Sequence, residues 1–129
     1  MDDKLDAKLV AEFPNLYADR HASMNETCMC WGFTHGDGWY QIVYDLSVKL
    51  ETLILALPEA DRKDCKASQV KEKFGGLRFY MDSATDEMRA CIREAESLSF
   101  KTCEVCGKPG ERRGGGWINT LCDEHANKK

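Results

Sequence analysis

Two short motifs near one end of the chain constrain its fold more than anything else in it. They are C-E-V-C at Cys103–Cys106 and C-D-E-H at Cys122–His125, with fifteen residues between Cys106 and Cys122. Pairs spaced C-x-x-C and C-x-x-H at this separation are the ligand pattern of a tetrahedral zinc site with three thiolates and one imidazole. Two cysteines separated by two residues turn both sulfurs inward on one tight turn. Gly107 follows directly and permits left-handed backbone, and Pro109-Gly110 close the turn. W-I-N-T-L at 117–121 alternates like a short strand, and Asp123 and Glu124 suit the first turn of a helix. The pattern predicts a knuckle, a hairpin and a ligand-bearing helix start. That is a treble-clef-like module over 101–129, held by a structural Zn2+ on Cys103, Cys106, Cys122 and His125. Four protein ligands close the coordination shell, whereas catalytic zinc keeps a position open. A helix running from Cys122 to about Lys129 is too short to hold itself together, so the metal is expected to supply its folding free energy.

The remaining sequence is long enough, in a chain of 129 residues, for one domain with a real core. A formal net charge of -4 argues against a broad nucleic-acid surface, which needs a basic field. The charges are segregated, however. Lys101, Lys108, Arg112 and Arg113 make the C-terminal module locally basic, as does the closing Lys128-Lys129, while the first 65 residues lean acidic. The start, M-D-D-K-L-D, has no apolar segment of the kind a secretory signal needs, and no apolar run approaches the ~20 residues of a membrane span. Seven cysteines, an odd number, fit a reducing cytoplasm and metal binding better than a disulfide scaffold.

Apolar spacing locates the elements of the core. Leu5, Leu9, Val10 and Phe13 predict a helix over 2–13, stopped by Pro14. Residues 14–27 have no period and read as loop, and C-M-C-W-G-F at 28–33 reads as a strand. Asp37, within G-D-G-W, is the expected N-cap of a helix over 38–56. That helix carries Tyr40, Val43, Leu46, Leu50, Leu53, Ile54 and Leu57 on one face and stops at Pro58. Residues 66–82 read as a β-hairpin turning at Gly75-Gly76 in a primed turn. Val70, Glu72 and Phe74 are expected on one side of its first strand, and Leu77, Phe79 and Met81 on one side of its second. Thr85 is the expected cap of a third helix, with Met88, Cys91, Ile92, Ala95 and Leu98 inward and an end near Ser99. Only Phe100–Thr102 then separate the core, 1–100, from the metal module, 101–129, so the module is expected to dock on the core. The fold class is α+β: about three helices and a β-hairpin with a docked treble-clef-like zinc-binding module.

Lys71, Lys73 and Arg78 on the polar hairpin face, flanked by Tyr80, together with Arg112, Arg113 and Trp117, form the candidate partner-binding set. Cations beside an aromatic suit a phosphate backbone, although the same residues also suit a solvated face. Trp31 and Trp39 read as core and Trp117 as exposed. His21, Cys28, Cys30 and His35 offer donors for a second metal site. However, a C-x-C in a strand holds its sulfurs ~6–7 Å apart, so buried free thiols are the ordinary reading. Cys30, His35 and Asp37 are the parts of a nucleophilic triad; the competing reading makes Asp37 a helix cap. No phosphate loop, H-E-x-x-H or G-x-S-x-G is present. The expectation is a protein that is not an enzyme.

G-D-G-W-Y, V-K-E-K-F-G-G-L-R-F-Y, T-D-E and the two ligand pairs, spanning about residues 28–126, together resemble a family of small phage and prophage proteins. K-F-G-G-L-R-F-Y is the most specific string, and no activity carries over residue by residue. The resemblance implies a protein made by a mobile element and acting in the cytoplasm of a bacterial host. Accessory proteins of that origin bind host machinery or blunt host defence, CRISPR effectors included. The expected function is therefore to bind and inhibit or modulate a host protein, such as a nucleic-acid-binding defence complex. An acidic half is attracted to the basic grooves of such complexes. A nucleic-acid-binding zinc protein is the alternative, and a small nuclease or hydrolase the third reading.

Overall fold

A computed structural model describes residues 1–25 and 27–126. Lys128 and Lys129 of the basic terminus lie outside the described residues, as does the last part of the helix expected after Cys122. In chain order the elements are helices α1 (Asp3–Glu12), α2 (Tyr40–Ala56), α3 (Glu59–Arg62), α4 (Asp86–Ser99) and α5 (Asp123–Ala126), with strands β1 (Phe33–Thr34), β2 (Ala67–Lys73), β3 (Gly76–Met81), β4 (Glu111–Arg113) and β5 (Asn119–Leu121). The fold is α+β, and its three long helices lie where the apolar spacing places them. β1, β2 and β3 form one sheet in that order, with β1 parallel to β2 and β3 antiparallel to it; β4 and β5 form a separate hairpin.

Register assigns the two faces of the sheet. Phe33, Val70 and Phe79 lie side by side on the buried face and join Leu9, Tyr17, Leu46, Leu50 and Met88 in one apolar core. Thr34, Lys71 and Arg78 lie side by side on the opposite face. The free edge of β3 is covered by α4. Ser99 Oγ accepts from the Leu77 amide at 2.9 Å, and a Glu96 carboxylate oxygen accepts from the Phe79 amide at 3.0 Å. Backbone donors that would invite another strand are thereby satisfied. Thr85 caps α4, its hydroxyl accepting from the Met88 amide at 3.2 Å. Thr85→Ala is expected to lower unfolding free energy by about 1 kcal/mol in urea titrations, because that amide loses its acceptor.

Four expectations are corrected. Residues 28–31 are a 3-10 turn instead of a strand, ended by Gly32 at φ +77°, and the strand is confined to Phe33–Thr34. That turn points Met29 inward and leaves Trp31 62% exposed, so Trp31 is not core; Trp39 is fully buried. Asp37 does not cap α2. It opens a short 3-10 turn, and its carboxylate accepts from the Asp2 amide at 2.7 Å, tying down the start of α1. Finally, the hairpin loop is Phe74-Gly75, with Gly76 already paired to Lys73 in the ladder. Phe74 (φ +55°) and Gly75 (φ +82°) are the two left-handed positions of a primed turn. Packing shifts the loop by one residue: a Cβ on Gly76 would lie 2.5 Å from the Phe100 ring, so the second glycine is used for close approach.

The segment after Pro14 is a packed bridge. Leu16 and Tyr17 are buried, and the Leu16 carbonyl accepts from the Ala67 amide at 2.7 Å. On α2, the buried Glu51 carboxylate receives the Leu16 amide at 2.8 Å and the Asn15 side-chain amide at 2.7 Å. The Tyr17 hydroxyl pairs with Ser47 at 2.6 Å.

Candidate metal centre

Cys103, Cys106, Cys122 and His125 converge, with every ligand atom within 4.8 Å of the others. Cys106 and Cys122 sulfurs are 3.7 Å apart, and His125 Nδ1 lies 3.6 Å from the Cys103 sulfur and 3.2 Å from that of Cys122. For metal–sulfur bonds of about 2.3 Å and a metal–nitrogen bond of about 2.0 Å, a tetrahedron has edges of about 3.8 and 3.5 Å. These three separations lie near the tetrahedral edges and the others stay within 4.8 Å, so the cluster is compatible with one tetrahedral ion. Local chemistry sets the geometry. The Gly107 amide closes the knuckle onto the Cys103 carbonyl at 2.9 Å, and Gly107 takes φ +82°. Thr102 bridges to Pro109, β4 and β5 return the chain, and Cys122 stands at the start of α5, with His125 one turn later.

The electrostatics of the cluster call for a cation. Burial pushes the Cys103 thiol up, but the backbone amides of Cys122, Cys106 and Val105 outweigh it and hold the thiol down at about 6. Cys106 goes the other way. The Lys108 amide lowers it, yet burial and the neighbouring sulfurs of Cys103 and Cys122 raise it on balance. An anionic Cys103 therefore opposes ionisation of Cys106 beside it unless a positive charge lies between them.

Both sequence-specific strings turn out to hold this centre against the core. In G-D-G-W, the Gly38 amide donates to the Glu104 carbonyl at 2.7 Å and the Gly36 amide to the Glu104 carboxylate at 2.8 Å. A Cβ on Gly36 or Gly38 would collide with the Glu104 and Cys103 carbonyl oxygens respectively. The Trp39 indole donates to the Thr102 carbonyl at 2.9 Å. In K-F-G-G, buried Thr120 donates to the Gly75 carbonyl, and Arg112 donates to the Phe74 carbonyl at 2.9 Å while its guanidinium sits 4.7 Å over the Phe100 ring. Glycine pairs next to a conspicuous Trp are the signal in the sequence for such close backbone approach. Thr120 carries no comparable signal.

The other candidates are placed apart. Cys30 donates its thiol to the Thr27 carbonyl at 3.4 Å, His35 Nδ1 faces the Gly36 carbonyl at 2.8 Å, and Asp37 holds Asp2. Each is engaged elsewhere, so no triad forms. Among the described residues no second group of His, Cys, Asp or Glu converges as a metal site, so His21, Cys28, Cys30 and His35 do not make one. Arg113 pairs with Asp123 at 2.7 Å and donates to the Leu121 carbonyl at 2.9 Å, which makes it part of the module's own scaffold. Lys71, Lys73 and Arg78 share the open face of the sheet, and Trp117 is 78% exposed. No helix among the described residues is long and apolar enough to cross a membrane.

His35 is a buried titratable group. Burial between Phe33 and Trp39 pushes it down to about 4, and its Nε2 has no partner. With the folded value below the unfolded 6.5, the unfolded chain binds the extra proton. Stability is therefore lost as pH falls from about 6.5 towards 4, by on the order of 3 kcal/mol for this group. His35→Leu is expected to flatten the pH dependence of urea unfolding relative to the parent across that window. Equal slopes in the two proteins would exclude His35 as the source.

Compared with known proteins, the chain matches no family model, no curated protein and no solved structure.

Proposed function

We propose that this chain is a zinc-stabilised binding protein without catalytic turnover, which acts on bacterial host machinery by occupying a surface. Zinc is the ion the donor set favours: three thiolates and an imidazole in a closed tetrahedron, at distances that suit a d10 cation with no geometric preference of its own. The ion's role is structural, because four protein donors leave no position for substrate. Elemental analysis of the purified protein is expected to give one zinc per chain, and Cys122→Ser to lose it.

One observation carries the binding reading. Two large aromatics, Phe74 and Trp117, stand in solvent at the point where the sheet meets the metal module. Aromatic residues are enriched among the anchors of interfaces. The resemblance to phage proteins supplies the setting: a host defence complex, such as a CRISPR effector, is the target class it favours. A tagged pull-down from bacterial lysate, with and without nuclease, tests the reading. A stoichiometric partner lost on Trp117→Ala is the expected result, and recovery unchanged by that substitution would count against this surface.

A further inference from the structure

We infer that the Phe74–Trp117 tip stacks the bases of single-stranded nucleic acid, with the open face of the β1–β3 sheet receiving its phosphates. The inference rests on the proposed function, that this tip is the binding surface for a host complex, and names the single strand such a complex carries as what the tip touches.

Phe74 is the first observation. It is 59% exposed and sits at φ +55° in the first position of a primed turn, where asparagine is the residue the turn itself prefers. A bulky aromatic there is unfavourable twice over, in backbone strain and in exposed apolar surface, and nothing in the core needs it. Strain of this kind, held in place by surrounding structure, is where function concentrates.

Trp117 is the second. It follows three glycines, and a Cβ on Gly115 or Gly116 would meet nothing within 4 Å. Packing does not require those glycines. What they provide is backbone freedom for the indole that follows. Phe74 and Trp117 line one cleft of about 350 Å3 with Lys73, Gly116 and Ile118, and with Glu72, whose carboxylate accepts from the Gly75 amide.

The third is charge. Lys73 Nζ lies 5.6 Å over the Phe74 ring, and Lys71 and Arg78 continue from it as cross-strand neighbours on the open face, with Tyr80 beyond them. Among the described residues, none of Lys71, Lys73 and Arg78 is in an ion pair, whereas Arg20, Lys66 and Arg113 are each paired with an aspartate. A chain of net charge -4 thus gathers unneutralised cations beside two exposed aromatics. The cores of protein–protein interfaces are depleted in lysine. Aromatic platforms flanked by cations are the hallmark of single-strand binding, because every base offers a π face and every nucleotide a phosphate. The acidic remainder of the surface disfavours a duplex, which presents more phosphate to more of the protein.

The test uses the full, metal-loaded chain and short oligothymidylate and mixed-base RNA strands, read by tryptophan quenching and by anisotropy. Binding at 50 mM salt is expected to weaken about 20-fold at 200 mM, as about three neutralised phosphates require of a single strand. Trp117→Ala and Phe74→Asn are each expected to weaken it about tenfold or more, the latter with thermal stability kept or raised, which separates loss of contact from loss of fold. Lys73→Gln is expected to flatten the salt dependence. Undetectable binding at 50 mM salt, undiminished binding by Phe74→Asn, or preference for duplex would each overturn the inference. If no strand binds but a nuclease-resistant partner still requires Trp117, the partner is a protein and only this inference falls. If Trp117 matters to neither, the binding surface itself is misassigned.

Discussion

Stripping the metal with a strong chelator at neutral pH is expected to unfold residues 101–126 while α2 and the β1–β3 sheet stay folded. The reason is one of magnitudes. β4 and β5 have three residues each and α5 four, all far below the length at which such elements persist alone. Among the described residues of the module, only Cys103, Thr120 and Cys122 are buried. Apart from the bonds that continue the end of α4 through Lys101 and Thr102, five hydrogen bonds tie it to the core, from Gly36, Gly38, Trp39, Arg112 and Thr120. At a net 0.5–1.5 kcal/mol each they contribute only about 5 kcal/mol. Metal binding by comparable sites contributes about 10–16 kcal/mol. A metal held by the four donors would therefore stabilise the module more than docking does, and its removal would leave Cys103 and Cys106 in conflict. Amide hydrogen exchange checks the prediction: protection across 103–125 should vanish on chelation and return with zinc, while β2 and β3 keep theirs. Persistent protection in the stripped protein would show that docking alone sustains the module.

Gly38→Ala is expected to be among the most destabilising single methyl additions in this chain, costing about 3 kcal/mol and lowering the melting temperature by about 10 °C. The added Cβ meets the carbonyl oxygen of Cys103 and the backbone of Glu104, and backbone does not yield as the end of a flexible side chain does. Relief requires the knuckle to move away, which also breaks the 2.7 Å bond from Gly38 to Glu104 and pulls Thr102 from the Trp39 indole. All four metal ligands lie between 103 and 125, however, so the variant should still hold its ion. Faster proteolysis around 100–102 with one equivalent of metal retained is the expected signature. Loss of metal together with stability would mean that docking and coordination form a single cooperative unit. Gly115→Ala, whose Cβ points into open space, is the matched control and is expected to be nearly silent.

The Cys/His cluster was legible because the spacing of C-x-x-C and C-x-x-H is a local matter. Two donors within one turn are placed by backbone geometry over a few residues, whatever lies around them. The long helices were legible for a similar reason. The stripe of α2 and the Thr85 cap of α4 depend on spacing and on a hydroxyl three residues from the amide it serves. The primed turn was also foreseen, but its place in the chain was not. Gly75 and Gly76 look alike in the sequence, and only the Phe100 ring over Gly76 decides which of them turns and which packs.

What the tertiary structure alone decided concerns residues whose partners are remote. Gly36 and Gly38 look like hinge or loop glycines until the Cys103 and Glu104 carbonyls are set against them, and Asp37 looks like a cap of α2 until Asp2 is brought to it. Glu51 lies within an apolar stripe, yet it is buried to receive the amides of a segment 35 residues away. Trp31 and Trp39 are equally apolar, but one stands in solvent and the other under the metal module. Local spacing carries information about neighbours along the chain, over a turn or a strand. Burial and close backbone approach are set by whatever the rest of the chain places opposite. The sequence by itself therefore determined the Cys/His cluster and the main helices, while the assignment of glycines, tryptophans and buried polar groups waited on packing.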